Sequence, residues 1–190
     1  MEETEVRRLL VETGAILEGH FLLTSGLHSP LYVEKFQVLQ WPRHTAALCA
    51  ALADRFRFDR IDVVVGPVTG GILLAHEVGK NLDTRAIFTE RENGRMTLRR
   101  GFFIKPGERV LVVEDIVTTG GSVDEVIAVV KECGGVLAGV GLLVDRSGGK
   151  AVFPARAEAL LRLTVPVHQP EECPLCAQGV PITKRGRTGK

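Results

Sequence analysis

Two carboxylates and a loop of hydroxyl and glycine residues stand side by side in the middle of this chain. Glu114 and Asp115 directly follow the apolar run 110–113, which is typical of a buried strand. Behind the acids come Thr118, Thr119, Gly120, Gly121 and Ser122. Apolar residues then recur at helical spacing over 123–133, which predicts an amphipathic helix. The order is therefore strand, acids, small-residue loop and helix.

This loop has the composition of a phosphate-binding loop. Glycines let several backbone N–H groups point to one spot, the hydroxyls add donors, and the helix N-terminus adds partial positive charge. The sequence matches neither the Walker loop nor Gly-x-Gly-x-x-Gly. Two acids would repel a triphosphate but accept hydrogen bonds from hydroxyl groups, so a ribose 5-phosphate fits. The alternative is an ordinary turn in which Ser122 caps the helix and the acids are incidental.

The segment Glu-Asp-Ile-Val-Thr-Thr-Gly-Gly-Ser at 114–122 resembles the signature of type I phosphoribosyltransferases that binds phosphoribosyl pyrophosphate (PRPP). The resemblance implies that Glu114 and Asp115 contact the ribose hydroxyls and act in catalysis. It implies PRPP contacts along the rest of the signature, which consists of Ile116, Val117, Thr118, Thr119, Gly120, Gly121 and Ser122. It also implies Mg²⁺ as the cofactor, held largely by PRPP itself, so that no protein metal ligand is assigned.

Two further motifs resemble orotate phosphoribosyltransferases. The pattern Phe-x-Leu-x-Ser-Gly-x-x-Ser-Pro at 21–30 is similar to their N-terminal hood, and Asp145-Arg146 is similar to a pair whose arginine binds orotate. The resemblance implies transfer of ribose 5-phosphate from PRPP to orotate, giving orotidine 5′-phosphate and pyrophosphate in pyrimidine biosynthesis. Thr118 and Arg146 are then the orotate-binding residues. A surface ion pair between Asp145 and Arg146 is the alternative for the arginine.

A second strand, glycine loop and helix occur at 61–80, and the resemblance implies that Thr69 and Gly70 face the pyrophosphate of PRPP.

The polar segment 90–101 is rich in arginine. It is interpreted as a mobile lid, with a solvated loop as the alternative. Within it Arg91 is favoured as a catalytic cation from its position just after a strand. Family resemblance implies a homodimer in which this lid acts across subunits.

Alternating strands and helices predict one α/β domain over 1–190 with a mostly parallel sheet flanked by helices. A first helix is predicted over 4–18. A small hood is predicted over about 19–40, with 166–183 as a candidate second part.

The charge balance, 24 Lys and Arg against 23 Asp and Glu, argues against nucleic-acid binding by bulk charge. Since no apolar run has the length of a membrane span and the N-terminus is acidic, the sequence predicts a soluble, cytoplasmic protein without a membrane partner.

The pair Cys173-x-x-Cys176 has the spacing of two zinc ligands, but a four-ligand site needs two more, and His168 is the nearby candidate. A turn that packs the C-terminal segment is favoured, and a zinc site shared across a dimer is the alternative.

Two other functions of the protein also stay open. One is a purine or xanthine phosphoribosyltransferase. The other is a non-enzymatic PRPP-sensing regulator, although one N-terminal helix is too short for a helix-turn-helix.

Overall fold

The computed structural model describes residues 1–23 and 25–184, in which strands and helices alternate along much of the chain. The helices are α1 (Glu3–Glu12), α2 (Phe36–Leu39), α3 (Pro42–Asp54), α4 (Gly70–Leu82), α5 (Gly121–Glu132) and α6 (Pro174–Ala177), with a 3₁₀ turn at Pro170–Glu172. The strands are β1 (Ile16–Leu22), β2 (His28–Val33), β3 (Val63–Pro67), β4 (Arg85–Glu92), β5 (Arg95–Leu98), β6 (Arg109–Val117), β7 (Val136–Asp145), β8 (Ala157–Arg162) and β9 (Thr183–Lys184).

The main sheet has six strands in the order β5-β4-β3-β6-β7-β8. Every neighbouring pair is parallel except β4 and β5, which are antiparallel. The predicted fold class, a mostly parallel sheet flanked by helices, is confirmed. The crossover order places β3 and β6 next to each other at the centre, so the loops that follow these two strands open at the same sheet edge.

Helices cover both faces of this sheet, which explains why β3 reads as a continuous apolar run. Val64 packs into a core shared with α1, α3 and α4, whereas Val63 and Val65 pack on the other face with α5. Strands that are buried on both faces have no solvent side for polar residues. None of the helices in the described residues is both long and apolar enough to cross a bilayer.

The N-terminal region forms a second, smaller sheet in the order β2-β1-β9. β1 and β2 are antiparallel, and β9 joins β1 in parallel. The predicted helix over 4–18 is therefore wrong beyond Glu12. Gly14 ends the helix with a φ of 72°, a left-handed conformation that glycine adopts without steric cost, and β1 begins at Ile16.

The arginine-rich segment is a β-hairpin over most of its length. β4 extends to Glu92, and β5 returns antiparallel from Arg95 to Leu98. Asn93 and Gly94 form the turn, both with positive φ, as a tight two-residue hairpin requires. The predicted loop over 90–101 is thus wrong as far as Leu98.

Candidate active site

The two acids lie inside the carboxyl half of β6, and both are buried: Glu114 is 8% exposed and Asp115 is 1% exposed. The Asp115 amide donates to Glu114 Oε1 at 2.9 Å, and the Ile116 amide donates to Asp115 Oδ1 at 2.7 Å. Burial, and after it the neighbouring charge of Asp115, raises the pKa of Glu114 to about 8. Burial also raises the pKa of Asp115, although Lys35 opposes that shift.

Lys35 is the cation that balances these acids, and sequence reasoning missed it. Its Nζ lies 2.9 Å from Asp115 Oδ1, to which it donates a hydrogen bond, and 2.8 Å from Oδ2. Lys35 lies just beyond β2, 80 residues before its partner. The only available signal was that buried carboxylates need a cation, and that signal does not say which lysine supplies it.

The loop after β6 is accessible and rich in donors. Thr118, Thr119, Gly121 and Ser122 are exposed, and together with Glu114 the segment 116–123 lines a shallow pocket of about 50 Å³. Gly120, with a φ of 90°, occupies the N-cap of α5, so the alternative in which Ser122 caps this helix is wrong. Because Gly120 has no side chain to accept from the first-turn amides, those N–H groups can bind an anion.

The second glycine loop touches the first site directly. Thr69 is exposed at the N-cap of α4, and the peptide bond between Val68 and Thr69 is cis. A Cβ added at Gly70 would overlap Asp115 Oδ2 and lie 3.4 Å from Leu39 Cδ1. A glycine at this position therefore lets the two loops approach each other, and the structure brings the predicted residue Gly70, which follows Thr69, against Asp115.

Arg146 lies beside the loop because β7 runs parallel to β6. Val117 is paired with Asp145, and the Arg146 amide donates to the Val117 carbonyl at 2.7 Å. Arg146 Nε is buried, and no described residue accepts a hydrogen bond from it. Burial lowers the pKa of this guanidinium, while Tyr32 of β2 opposes the shift. A buried N–H without an acceptor fits a ligand with a carboxylate.

The structure does not bring Arg91 to the acids. Arg91 lies 2.7 Å from Glu125 of α5 and also donates to the Gly94 carbonyl at 3.0 Å. The other three arginines of the segment are paired with acids as well, in the pairs Arg95–Glu132, Arg99–Glu92 and Arg100–Glu90. A cavity of about 710 Å³ lies between this hairpin and the C-terminal half of α5, away from Glu114 and Asp115.

Comparison with known proteins agrees with this geometry. A family model described as a phosphoribosyl transferase domain matches residues 37–153, which include both glycine loops and Arg146. The orotate phosphoribosyltransferase of Desulforamulus reducens is 54% identical over 186 residues, or 98% of this chain and 97% of the relative. The chain belongs to the orotate phosphoribosyltransferase family. Another relative of that name, from Thermotoga maritima, is 49% identical and covers 97% of this chain and 98% of its own.

Solved structures of phosphoribosyltransferases have a similar fold. The orotate phosphoribosyltransferase of Aeropyrum pernix matches with a TM-score of 0.68 and 26% identity, covering 83% of this chain and 93% of its own. The adenine phosphoribosyltransferase of Trypanosoma brucei, solved with AMP, pyrophosphate and ribose-5-phosphate, matches with a TM-score of 0.63. That second match covers 83% of this chain and 79% of the other, and at 15% identity it supports the fold alone.

Proposed function

We propose that this protein transfers ribose 5-phosphate from PRPP to orotate, giving orotidine 5′-phosphate and pyrophosphate, as a cytoplasmic step of pyrimidine biosynthesis. One observation carries the proposal: the buried pair of acids, a hydroxyl-rich loop whose helix has no side-chain cap, and the half-buried Arg146, whose buried Nε has no acceptor among the described residues, converge at one sheet edge. These three groups match the diol, the 5-phosphate and the orotate carboxylate. The roughly 50% identity to orotate phosphoribosyltransferases supports the same substrates.

The ribose 5-phosphate would lie across the end of β6. Glu114 and Asp115 would accept hydrogen bonds from the two ribose hydroxyls, and the loop 118–122 would donate to the 5-phosphate. Arg146 would bind the orotate carboxylate through two parallel hydrogen bonds, which the planar guanidinium favours. Thr118 would contact the phosphate and also orotate.

Displacement of pyrophosphate from C1 places positive charge on the ribose and negative charge on the leaving group. In their ionised forms, the buried carboxyl groups of Glu114 and Asp115 would stabilise the ribose charge at close range, and Glu114, whose pKa is raised to about 8, would have to lose its proton to do so. The backbone at Thr69 and Gly70, together with lid arginines, would stabilise the pyrophosphate. Since an orotate ring nitrogen is itself the nucleophile, the reaction needs no covalent intermediate with the protein.

Mg²⁺ fits this donor set, because carboxylate oxygens are its preferred protein ligands and Glu114 lines the pocket beside the loop 116–123. We infer that PRPP supplies most of its ligands, with Glu114 and Asp115 close by. When bound, Mg²⁺ would neutralise charge on the leaving pyrophosphate.

A substrate panel tests the reaction. Purified protein with PRPP and Mg²⁺ is offered orotate, uracil, adenine, hypoxanthine and xanthine separately, and pyrophosphate release is measured. Release with orotate alone is expected. Release with a purine instead would contradict the assignment of Arg146 as a carboxylate binder, and PRPP binding with no turnover for any base would favour a PRPP-sensing regulator.

Substitution of Asp115 by asparagine tests the ribose contact. Loss of one buried anionic acceptor at the developing charge should lower kcat/KM about 100- to 1,000-fold. The variant should remain folded, since asparagine has the same shape. Turnover close to wild type would refute the assigned role of Asp115.

The dimer and the lid form a linked proposal: Arg91 would leave Glu125 and reach the pyrophosphate bound by the partner subunit. Mixing inactive Arg91→Ala and Asp115→Asn chains tests it. If the two residues act in one site across subunits, random reassociation restores about a quarter of wild-type activity, because half of the dimers are hybrids with one intact site. If both residues act within one chain, the mixture stays inactive.

A further inference from the structure

Four potential metal ligands meet in the small sheet, outside the site described above. They are His20 of β1, His28 of β2, Cys173 and Cys176, and one ligand atom from each lies within 4.8 Å of all the others. Their parts of the chain are far apart: Cys173 is 153 residues from His20, and Cys176 is 148 residues from His28. Three of the four side chains are buried, and Cys176 is exposed.

Local features of β1 and α6 direct these side chains to one place. The β1–β2 pairing shifts register between Glu18 and Phe21, and this bulge lets the consecutive residues His20 and Phe21 both be buried. Cys173 precedes Pro174, which begins α6, and one helical turn then carries Cys176 to the same side as Cys173. The two cysteines carry free thiols and form no disulfide.

The distances suit a tetrahedral ion. His20 Nε2 lies 3.0 Å from His28 Nδ1 and 3.5 Å from Cys173 Sγ. Cys176 Sγ lies 3.3 Å from His28 Nδ1 and 3.8 Å from His20 Nε2. Zinc bonds of about 2.0 Å to nitrogen and 2.3 Å to sulfur, at tetrahedral angles, place ligand atoms roughly 3.3–3.8 Å apart.

The hydrogen-bond partner of His20 Nδ1 gives a second geometric argument. This nitrogen lies 2.8 Å from the Val180 carbonyl, and because a carbonyl can only accept, Nδ1 carries the proton. In the tautomer with its proton on Nδ1, His20 presents the lone pair of Nε2 toward Cys173, Cys176 and His28. One cation at this point can bind all four ligand atoms at once. A backbone acceptor on the remote ring nitrogen is also the usual second contact of a zinc-bound histidine.

We propose that His20, His28, Cys173 and Cys176 bind one structural zinc ion within a single chain. Two thiolates and two imidazoles are a zinc-type donor set, and four protein ligands leave no open position for catalysis. The ion would fasten the segment 173–180 to the hairpin of β1 and β2. That hairpin carries Tyr32 and leads into Lys35, so the ion would also hold the side of the active site that they form.

Metal analysis of the purified full-length protein tests the site. Protein produced with added zinc should contain about one zinc per chain, and this content should be lost in Cys173→Ser, Cys176→Ser and His28→Gln. Two matched controls should keep it: Cys133→Ser changes the cysteine at the C-cap of α5, and His168→Gln changes a histidine whose backbone pairs with that of His28 but which is not among the four ligands. Wild type without zinc after reconstitution, zinc retained by the three variants, or another metal in its place would each overturn the proposal.

A second measurement covers the case in which a variant fails to fold. Wild-type protein loaded with Co²⁺ should show the visible bands of tetrahedral coordination and a thiolate charge-transfer band. Chelation should release the ion, lower the melting temperature and make two additional thiols reactive. A Cys173–Cys176 disulfide in freshly purified protein, or an octahedral Co²⁺ spectrum, would refute the site. Because no substrate is used, these results are independent of the proposed reaction.

Discussion

The ion pair between Lys35 and Asp115 makes a prediction that separates stability from catalysis. Substitution of Lys35 by methionine keeps the aliphatic stem but removes the ammonium group that lies 2.8–2.9 Å from both carboxylate oxygens. The Asp115 side chain is only 2% exposed, so water cannot replace the lost partner fully. The variant is therefore expected to leave a buried carboxylate uncompensated.

The expected cost follows from the different exposure of the two partners. Breaking a fully buried ion pair costs about 3–5 kcal/mol. The Lys35 side chain is 33% exposed, which admits some water and reduces the expected loss to about 1–3 kcal/mol. In a protein of this size, 2 kcal/mol corresponds to a fall in melting temperature of about 4–8 °C. Adding Asp115→Asn removes the stranded charge and should recover much of the loss.

The assay is urea unfolding followed by circular dichroism, with wild type, both single variants and the double variant forming a thermodynamic cycle. Lys80→Met is the matched control, because Lys80 pairs with Glu77 at 3.3 Å on the surface and its side chain is 65% exposed. Its effect should stay within about 0.5 kcal/mol. A Lys35→Met variant as stable as this control, or single-variant effects that simply add, would refute the reasoning.

Three further predictions concern the same site. Gly70→Ala should cost about 1–3 kcal/mol of unfolding free energy and weaken PRPP binding, because the new methyl group overlaps Asp115 Oδ2. Gly121→Ala, whose methyl group meets only Thr119 Oγ1 at 3.8 Å, should unfold like wild type, and equal losses would contradict the steric argument. The pKa of Glu114 is raised from 4.5 to about 8, so between these pH values the folded protein keeps the Glu114 proton while the unfolded chain has lost it. The free energy of unfolding should therefore fall as pH rises through this window. Melting curves should show this slope flattened in Glu114→Gln, and an unchanged slope would exclude Glu114 as its source. Arg146→Gln should raise KM for orotate about 10- to 100-fold while KM for PRPP changes little in steady-state kinetics, and equal changes would argue against the carboxylate contact.

Much of the fold could be predicted because its signals are local. The apolar strands, the helices α3, α4 and α5, and their alternation follow from periodicity within short windows, and they are enough to specify the fold class. Local signals failed where two structures compete for the same residues. The apolar spacing up to Leu17 continues a helical pattern, yet β1 begins at Ile16 because pairing with β2 buries it. The segment 90–98 is polar enough for a loop, but the turn at Asn93 and Gly94 folds it into a hairpin.

The residues of the candidate site also fall into those that local sequence signals identify and those that only the tertiary structure identifies. The sequence by itself determined the motif at 114–122, because a strand end, two acids and a glycine loop are contiguous and their chemistry needs no distant partner. Only the tertiary structure decided which cation faces Asp115 and which histidines join Cys173 and Cys176, since Lys35, His20 and His28 lie 80 to 156 residues from their partners. Charge and ligand type show that a partner is needed, but the choice among lysines and histidines depends on strand pairing and packing, which no short stretch of sequence contains.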